Sequence, residues 1–354
     1  MPEILRSNVL NQAAYAIFAA ALFGAATPFA KILLSEVPPV LLAGLLYLGA
    51  GLSLMLVYLI RDRSRDSEPP LARSDAPWLA GAVLCGGIVA PALLMLGLSR
   101  IDASEASLLL NLEGVFTALL AWVAFREHFS VRTIAGMGLI VAGGVILSWP
   151  EAGLMFPFGS VAVAAACLFW GIDNNLTQKV SAGNPVFIAA IKGIVAGCVN
   201  LSIGMAFGAT FPSFPILVGA VAVGCLGYGV SLVLFVLSLR HIGTARTGAY
   251  FSVAPFVGAA AAIPLLHEPV RIHFVVVAIL MAAGLWLYLT EKHFHDHSHE
   301  RIAHSHSHGH GTHHDHEHDS RADKDSPSHT HWHVHEPVTH EHRHYPDIHH
   351  RHDH

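Results

Sequence analysis

The sequence predicts an all-α integral membrane protein: ten transmembrane helices as two inverted five-helix repeats, plus a disordered C-terminal tail. Three observations predict it. Apolar runs of about 20 residues recur through the first 290 positions, each about long enough to cross a ~30 Å hydrocarbon core as a helix. The runs repeat internally, so that the first half of the bundle aligns on the second. The composition then inverts: twenty-three of the 27 histidines fall between His293 and His354.

The chain is 53% hydrophobic and 13% charged, with mean hydropathy +0.51. Few of its apolar runs have the polar face that a soluble helix needs. Residues 1–290 hold 14 Lys/Arg against 13 Asp/Glu, and residues 291–354 hold 6 against 12, so the net charge of −5 belongs to the tail. Cys85, Cys167, Cys198 and Cys225 each stand alone in an apolar run without CxxC spacing, which argues against a disulfide framework or a thiolate site. The first run lacks a small-residue cleavage site and further spans come at once, so no cleavable signal peptide is expected. No P-loop, catalytic triad, dinucleotide fingerprint or basic stripe occurs, which argues against an enzyme and against a nucleic-acid partner.

Taken in order, spans are expected at about 13–34, 39–60, 77–99, 104–125, 131–149, 158–179, 185–207, 214–239, 244–266 and 271–290. Most connections are short and carry Pro, Gly, Ser or charge; the longest, Arg61–Ser74, holds Arg61, Arg63, Arg65 and Arg73. With the N-terminus inside, the inner side also collects Arg6, Arg126, Arg132, Lys179, Arg240, Arg246 and Lys292, against Lys31, Arg100 and Arg271 outside. The positive-inside bias therefore puts both termini in the cytoplasm. LSRIDASEASLLLNLEGVFTALLAWVAFREH (98–128) aligns without gaps on LRHIGTARTGAYFSVAPFVGAAAAIPLLHEP (239–269), pairing Glu127 with Glu268. PVLLAGLLYLGAG (39–51) aligns on PVFIAAIKGIVAG (185–197). The expected domains are thus a first repeat at 1–150, a second at 151–290 and a tail at 291–354. An odd number of spans per repeat inverts the second, the arrangement of secondary transporters with a midplane site.

Ionisable side chains deep in a bilayer are costly and so point to function. Glu113 falls near the middle of the fourth span, beside Asn111. Asp173 lies about nine residues before the turn at Ala182–Gly183 and Lys192 about nine after it. At ~1.5 Å rise per residue both sit about 13 Å in from the same end, which predicts an ion pair. Such a pair is either a structural lock between helices or a substrate contact that breaks and re-forms. Glu113 is either hydrogen-bonded to a neighbouring helix or a site that binds and releases a proton or cation. The run IDNNLTQK (172–179) is polar on more than one face, so Asn174 or Asn175 is expected to line a water-filled cavity. Pro28, Pro91, Pro255 and Pro264 fall inside spans and favour kinks. Glu127 and Glu268, at equivalent helix ends, read as caps. Gly193–Gly197 and Gly204–Gly208 permit close helix contact, compatible with a homodimer without identifying its face.

These features resemble the drug/metabolite transporter superfamily, specifically its EamA-type permeases. The resemblance rests on Phe23-Gly24 and Trp170-Gly171 in the first span of each half, a proline-led second span, a fourth span ending in Glu, and GMGLIVAGGVIL (136–147). It covers about 13–290 and implies a substrate cavity lined mainly by spans 1–4 and 6–9. The chain departs from the pattern in having Tyr47 and no Arg in its second span, and a last span poorer in glycine than the fifth.

The tail sets imidazoles at alternate positions with carboxylates between them. HFHDHSHE contributes His295, His297 and His299. HSHSHGHGTHHDHEHD contributes His304, His306, His308, His310, His313, His314, His316 and His318, and HTHWHVHE contributes His329, His331, His333 and His335. This ligand set suits Zn²⁺, Ni²⁺, Co²⁺ or Cu²⁺, so a disordered chelator with a divalent metal as partner is expected, with no cofactor required. Two functions fit the whole chain. One is a permease in the bacterial inner membrane moving a small organic metabolite or drug by alternating access, with proton coupling through Glu113. The other is a Ni/Co/Zn exporter whose tail collects the ion. The bundle favours the first, since His128, His241, His267 and His273 lie near span ends and Lys192 would repel a dication.

Overall fold

In the computed structural model, residues 2–60, 73–125, 130–149, 157–180, 184–242 and 244–290 are described, together with four short strands beyond them. The chain divides into two units, Met1–Glu291 and Lys292–His354.

The first unit is helical. Helices α1 (Pro2–Leu33) and α2 (Pro39–Ile60) are followed by α3 (Ala76–Ala82), which runs through a π-helical turn at Val83–Val89 into α4 (Ala90–Leu98). Then come α5 (Ala103–Leu109), α6 (Leu112–Phe125), α7 (Val131–Leu147), α8 (Phe158–Lys179) and α9 (Pro185–Ala206). Helix α10 (Phe214–Val223) passes through a second π-helical turn, Gly224–Val230, into α11 (Ser231–Ile242). Helices α12 (Thr244–Phe251), α13 (Ala254–Leu266) and α14 (Ile272–Leu289) complete the bundle. Local chemistry sets several ends. Ser130 Oγ accepts from Thr133 N–H at the start of α7 and Asn184 Oδ1 from Phe187 N–H at the start of α9, as N-cap residues do. Helix α13 ends on His267 in the left-handed region, φ 56°.

The count of ten spans is corrected here. Among the described residues eight helices are long and apolar enough to cross a membrane: Ala13–Leu33, Pro39–Ile60, Arg73–Leu98, Ala103–Val123, Pro185–Ala206, Phe214–Leu239, Arg246–Leu266 and Ile272–Leu289. Helix α7 has only 17 residues, about 26 Å at 1.5 Å per residue. Helix α8 has the length but spends its last turns on Asp173, Asn174, Asn175, Thr177, Gln178 and Lys179. The architecture of ten spans as two inverted five-helix repeats is therefore not the one found.

The sequence repeat nevertheless leaves a local trace. The two π-helical turns begin 141 residues apart, the same offset that aligns Leu98 on Leu239. Helix α1 packs on α11, α12, α13 and the second π turn, whereas α8 packs on α3, α4, α6 and the first. Helix α2 lies along α9, and α7 along α14. At three of these contacts glycine faces glycine: Gly51 with Gly193, Gly24 with Gly258, and Gly136 with Gly284. A Cβ on any of the six would approach the facing glycine's backbone to 2.6–2.9 Å. Gly193, Gly197 and Gly204 thus face α2 of their own chain, the close helix contact that their spacing permits. Pro91 and Pro255 fall inside the spans Arg73–Leu98 and Arg246–Leu266, in the first turns of α4 and α13, directly after the first π-helical turn and the break that ends α12.

The second unit corrects the expectation of a wholly disordered tail. Strand β1 (Phe294–His299) pairs antiparallel with β4 (Val338–Arg343), and β2 (Ile302–His308) pairs antiparallel with β3 (His329–His335). The alternation of histidine with smaller or acidic residues has the period of two that a strand requires. The rest of the tail lies outside the described residues.

Candidate functional site

The candidate site is organised by the polar half of α8, whose side chains engage two neighbouring helices, α9 and α6. Asp173 and Thr177, four residues apart, share one face. Lys192 of α9 reaches it, its Nζ donating to Asp173 Oδ1 at 2.5 Å and to Thr177 Oγ1 at 3.1 Å. Thr177 Oγ1 in turn donates to Asp173 Oδ1 at 2.9 Å. Asp173 is 6% exposed, and a side chain at Gly86 would run into its carboxylate. The equal-depth expectation thus locates two residues that the structure does bring together.

Asn174 faces another way. Its Nδ2 donates to Glu113 Oε1 at 3.0 Å and to Thr117 Oγ1 at 3.1 Å, yet the residue remains exposed. Glu113 lies in the first turn of α6, where the positive end of the helix dipole favours a carboxylate. Asn175 is turned toward backbone, donating to Thr117 O at 3.1 Å and Gly171 O at 2.8 Å. Asn111 is buried at the break between α5 and α6 and donates to Leu108 O at 2.8 Å. It holds the local turn that starts α6, and so sets where Glu113 stands.

Several site residues escape sequence reading. Gly86 and Gly87 sit in the first π turn, just ahead of Pro91. Ala90 N–H already bonds Cys85 O, and Pro91 has no N–H to offer either glycine carbonyl. Side chains satisfy them. Tyr47 OH and Trp170 Nε1 both donate to Gly86 O at 3.0 Å, and Trp170 Nε1 also reaches Tyr47 OH at 3.3 Å. Asn200, fully buried on α9, donates to Gly87 O and Ile88 O at 3.3 Å. The available signals are a proline inside a glycine-bearing span and an asparagine inside an apolar one. From Tyr47 a chain of rings continues: Tyr47 to Tyr228 at 5.9 Å, Tyr228 to Phe23 at 5.6 Å, Phe23 to Phe251 at 5.4 Å, and Phe251 to Phe235 at 4.8 Å.

Of the two expected caps, Glu268 accepts from Ala103 N–H at 2.7 Å and Ser104 N–H at 2.9 Å, across the start of α5. Glu127 lies outside the described residues.

The metal expectation is corrected. Among the described residues no group of three or more His, Cys, Asp or Glu stands together as a metal ion would need. The reason is visible in the bundle: the four cysteines sit on separate elements, and the Asp173 carboxylate is already engaged by Lys192 and Thr177. Neither a metal cofactor nor a metal partner is therefore assigned to the chain. The side chains of the tail histidines, His295 to His335, lie outside the described residues.

Comparison with known proteins gives concordant results. The model of the EamA-like transporter family matches twice, at residues 11–149 and 157–290. An uncharacterized transporter of Methanothermobacter thermautotrophicus is 31% identical over 288 residues, 77% of this chain and 84% of that protein. The uncharacterized inner membrane transporter YedA of Escherichia coli K12 is 22% identical over 250 residues, 68% of this chain and 79% of its own length. A protein of known crystal structure shares the fold with TM-score 0.58 at 18% identity, over 78% of this chain and 96% of that one.

Proposed function

This chain belongs to the EamA-like transporter family, and from that we propose a secondary-active permease that moves a small organic metabolite or drug by alternating access. That it is a multi-pass membrane transporter, not an enzyme, comes from the family. The proposal adds the rest: an inner-membrane location with both termini cytoplasmic, repeats at 1–150 and 151–290 with a cytoplasmic tail at 291–354, and a central site. The observation that carries it is the arrangement of α8, which presents the Asp173–Lys192–Thr177 cluster and the Glu113–Asn174–Thr117 cluster to different neighbours. Tyr47 and Trp170 both bond Gly86 O, and a Cβ at Gly86 would meet the Asp173 carboxylate, so the two clusters and the ring chain belong to one region.

In this reading, Glu113 is the carboxylate that meets the solute or a coupling proton. Asn174 and Thr117 orient it, and Asn111 positions its helix turn. Asn175 ties α8 to α6, and the Asp173–Lys192 pair rearranges as access alternates. The test is a thermal-shift ligand screen on the purified protein, followed by uptake of each hit into proteoliposomes. Glu113→Gln and Lys192→Ala are expected to lower uptake at least tenfold while the protein stays folded. Hits transported at the wild-type rate by both variants would remove these residues from the site.

A further inference from the structure

We propose that the solute is an organic monocation carrying an aromatic or similarly flat apolar body; the inference rests on the permease reading and names its substrate class. Charge is the first consideration. Three ionisable groups stand in the central region, and two of them neutralise each other, since Lys192 is bonded to Asp173 and Thr177. That leaves Glu113, whose carboxylate receives only a neutral amide donor, Asn174 Nδ2. No cation pairs with Glu113 among the described residues, and Asn174, which holds it, is exposed. A carboxylate in such a place attracts a cation and disfavours a second anion.

The ring chain supplies the second observation. Asn174 and Trp170 are four residues apart on α8, about one helical turn or ~5.4 Å along the axis. Trp170 meets Tyr47, and Tyr47 packs on Tyr228 at 5.9 Å. The carboxylate and the rings are thus linked through one turn of one helix. Tyr228 is partly exposed, so this ring offers a face. Aromatic faces attract organic cations and stack against flat apolar groups. A ligand with its ammonium at Glu113 and its ring against Tyr47 and Tyr228 uses both features at once. An organic anion would find no unpaired cation among these groups, and a bare metal ion would leave the rings unused.

The experiment compares three probes of matched shape on the purified full-length protein by isothermal titration calorimetry: 2-phenylethylammonium, 2-phenylethanol and 3-phenylpropionate. The ammonium probe is expected to bind on the order of tenfold more tightly than the alcohol, as a charge-assisted contact should, and the carboxylate probe more weakly than either. Glu113→Gln, which keeps an acceptor for Asn174, should erase the preference for the ammonium over the alcohol. Glu113→Asp should keep it, guarding against a merely misfolded variant. Tyr228→Leu should weaken phenylethylammonium but not butylammonium. The inference is overturned if the carboxylate probe matches the ammonium, if Glu113→Gln keeps the preference, or if none of the three binds. Uptake of a neutral or anionic solute that depends on Lys192 would sink the charge assignment and leave the permease standing. Absence of any solute flux across a broad panel would sink the permease itself.

Discussion

The two ends of the bundle use charge in opposite ways. Where α1, α4 and α13 finish, charged side chains are spent on backbone. Lys31 Nζ donates to Leu98 O at 2.6 Å and Ile101 O at 2.8 Å, beyond the end of α4. Glu268 takes the first two N–H groups of α5. Each charge faces the helix terminus of opposite sign. Around them lie fully buried side chains, among them Leu41, Leu42, Leu45, Met95, Leu98 and Leu108. Where α8 finishes and α9 begins, charge meets side chains instead: Lys192 holds Asp173 and Thr177. The apolar cluster near it is small, Leu54, Val186 and Ala190, and Asn174, Gln178 and Lys179 are exposed. A backbone carbonyl cannot leave its helix, but a side-chain partner can swing to a ligand. The first end is built to hold its geometry; under the proposed permease the second is the one that exchanges partners.

The largest test of that contrast is Asp173→Asn. It strips Lys192 of its counter-charge inside the bundle, where losing one partner of a buried pair costs about 3 kcal/mol. Thermal unfolding in detergent should show the loss, and adding Lys192→Met should recover most of it. A variant as stable as wild type would mean that water already solvates the pair. Next in size is Glu268→Ala, which leaves the Ala103 and Ser104 N–H groups unpaired and should cost about 1–2 kcal/mol. Transport should fall only in step with stability, because this carboxylate is an anchor. A collapse of uptake in a fully folded Glu268→Ala protein would instead make the packed end part of the moving machinery.

How much of this is legible in the sequence depends on the kind of interaction. Asp173 and Lys192 emerge from counting outward from a turn, because antiparallel helices convert sequence distance into depth. Glu268 is legible as a cap because it falls at a helix end, although its partner, 165 residues away, is not. The span count fails where composition and geometry part company. Helix α8 reads as apolar over its first half and is polar over its second, and α7 stops at 17 residues. The π turns are invisible, since no propensity separates a π turn from an α-helix in an apolar run. Tyr47 and Trp170 cannot be assigned without them, because their shared acceptor exists only where the helix ladder slips. In the tail, the period of two is written in HTHWHVHE, where histidine alternation and strand pairing share one pattern.

Between the two ends, that shared acceptor gives the smallest and most particular prediction. Gly86 O has two donors, Tyr47 OH and Trp170 Nε1, each at 3.0 Å. Removing one leaves the other in place, so Tyr47→Phe or Trp170→Phe alone should cost ~0.6 kcal/mol or less, the usual scale for a hydrogen bond inside a membrane protein. The double variant leaves a carbonyl that Pro91 and the π turn have already cut off from its helix, at about 2 kcal/mol. The double should therefore exceed the sum of the singles, measured by thermal unfolding without ligand. Strict additivity would show that the two donors do not stand in for each other, and that the π turn survives with Gly86 O unbonded. In that case the turn is held by Asn200 at Gly87 and Ile88 alone, and the Tyr47–Trp170 contact is free to open.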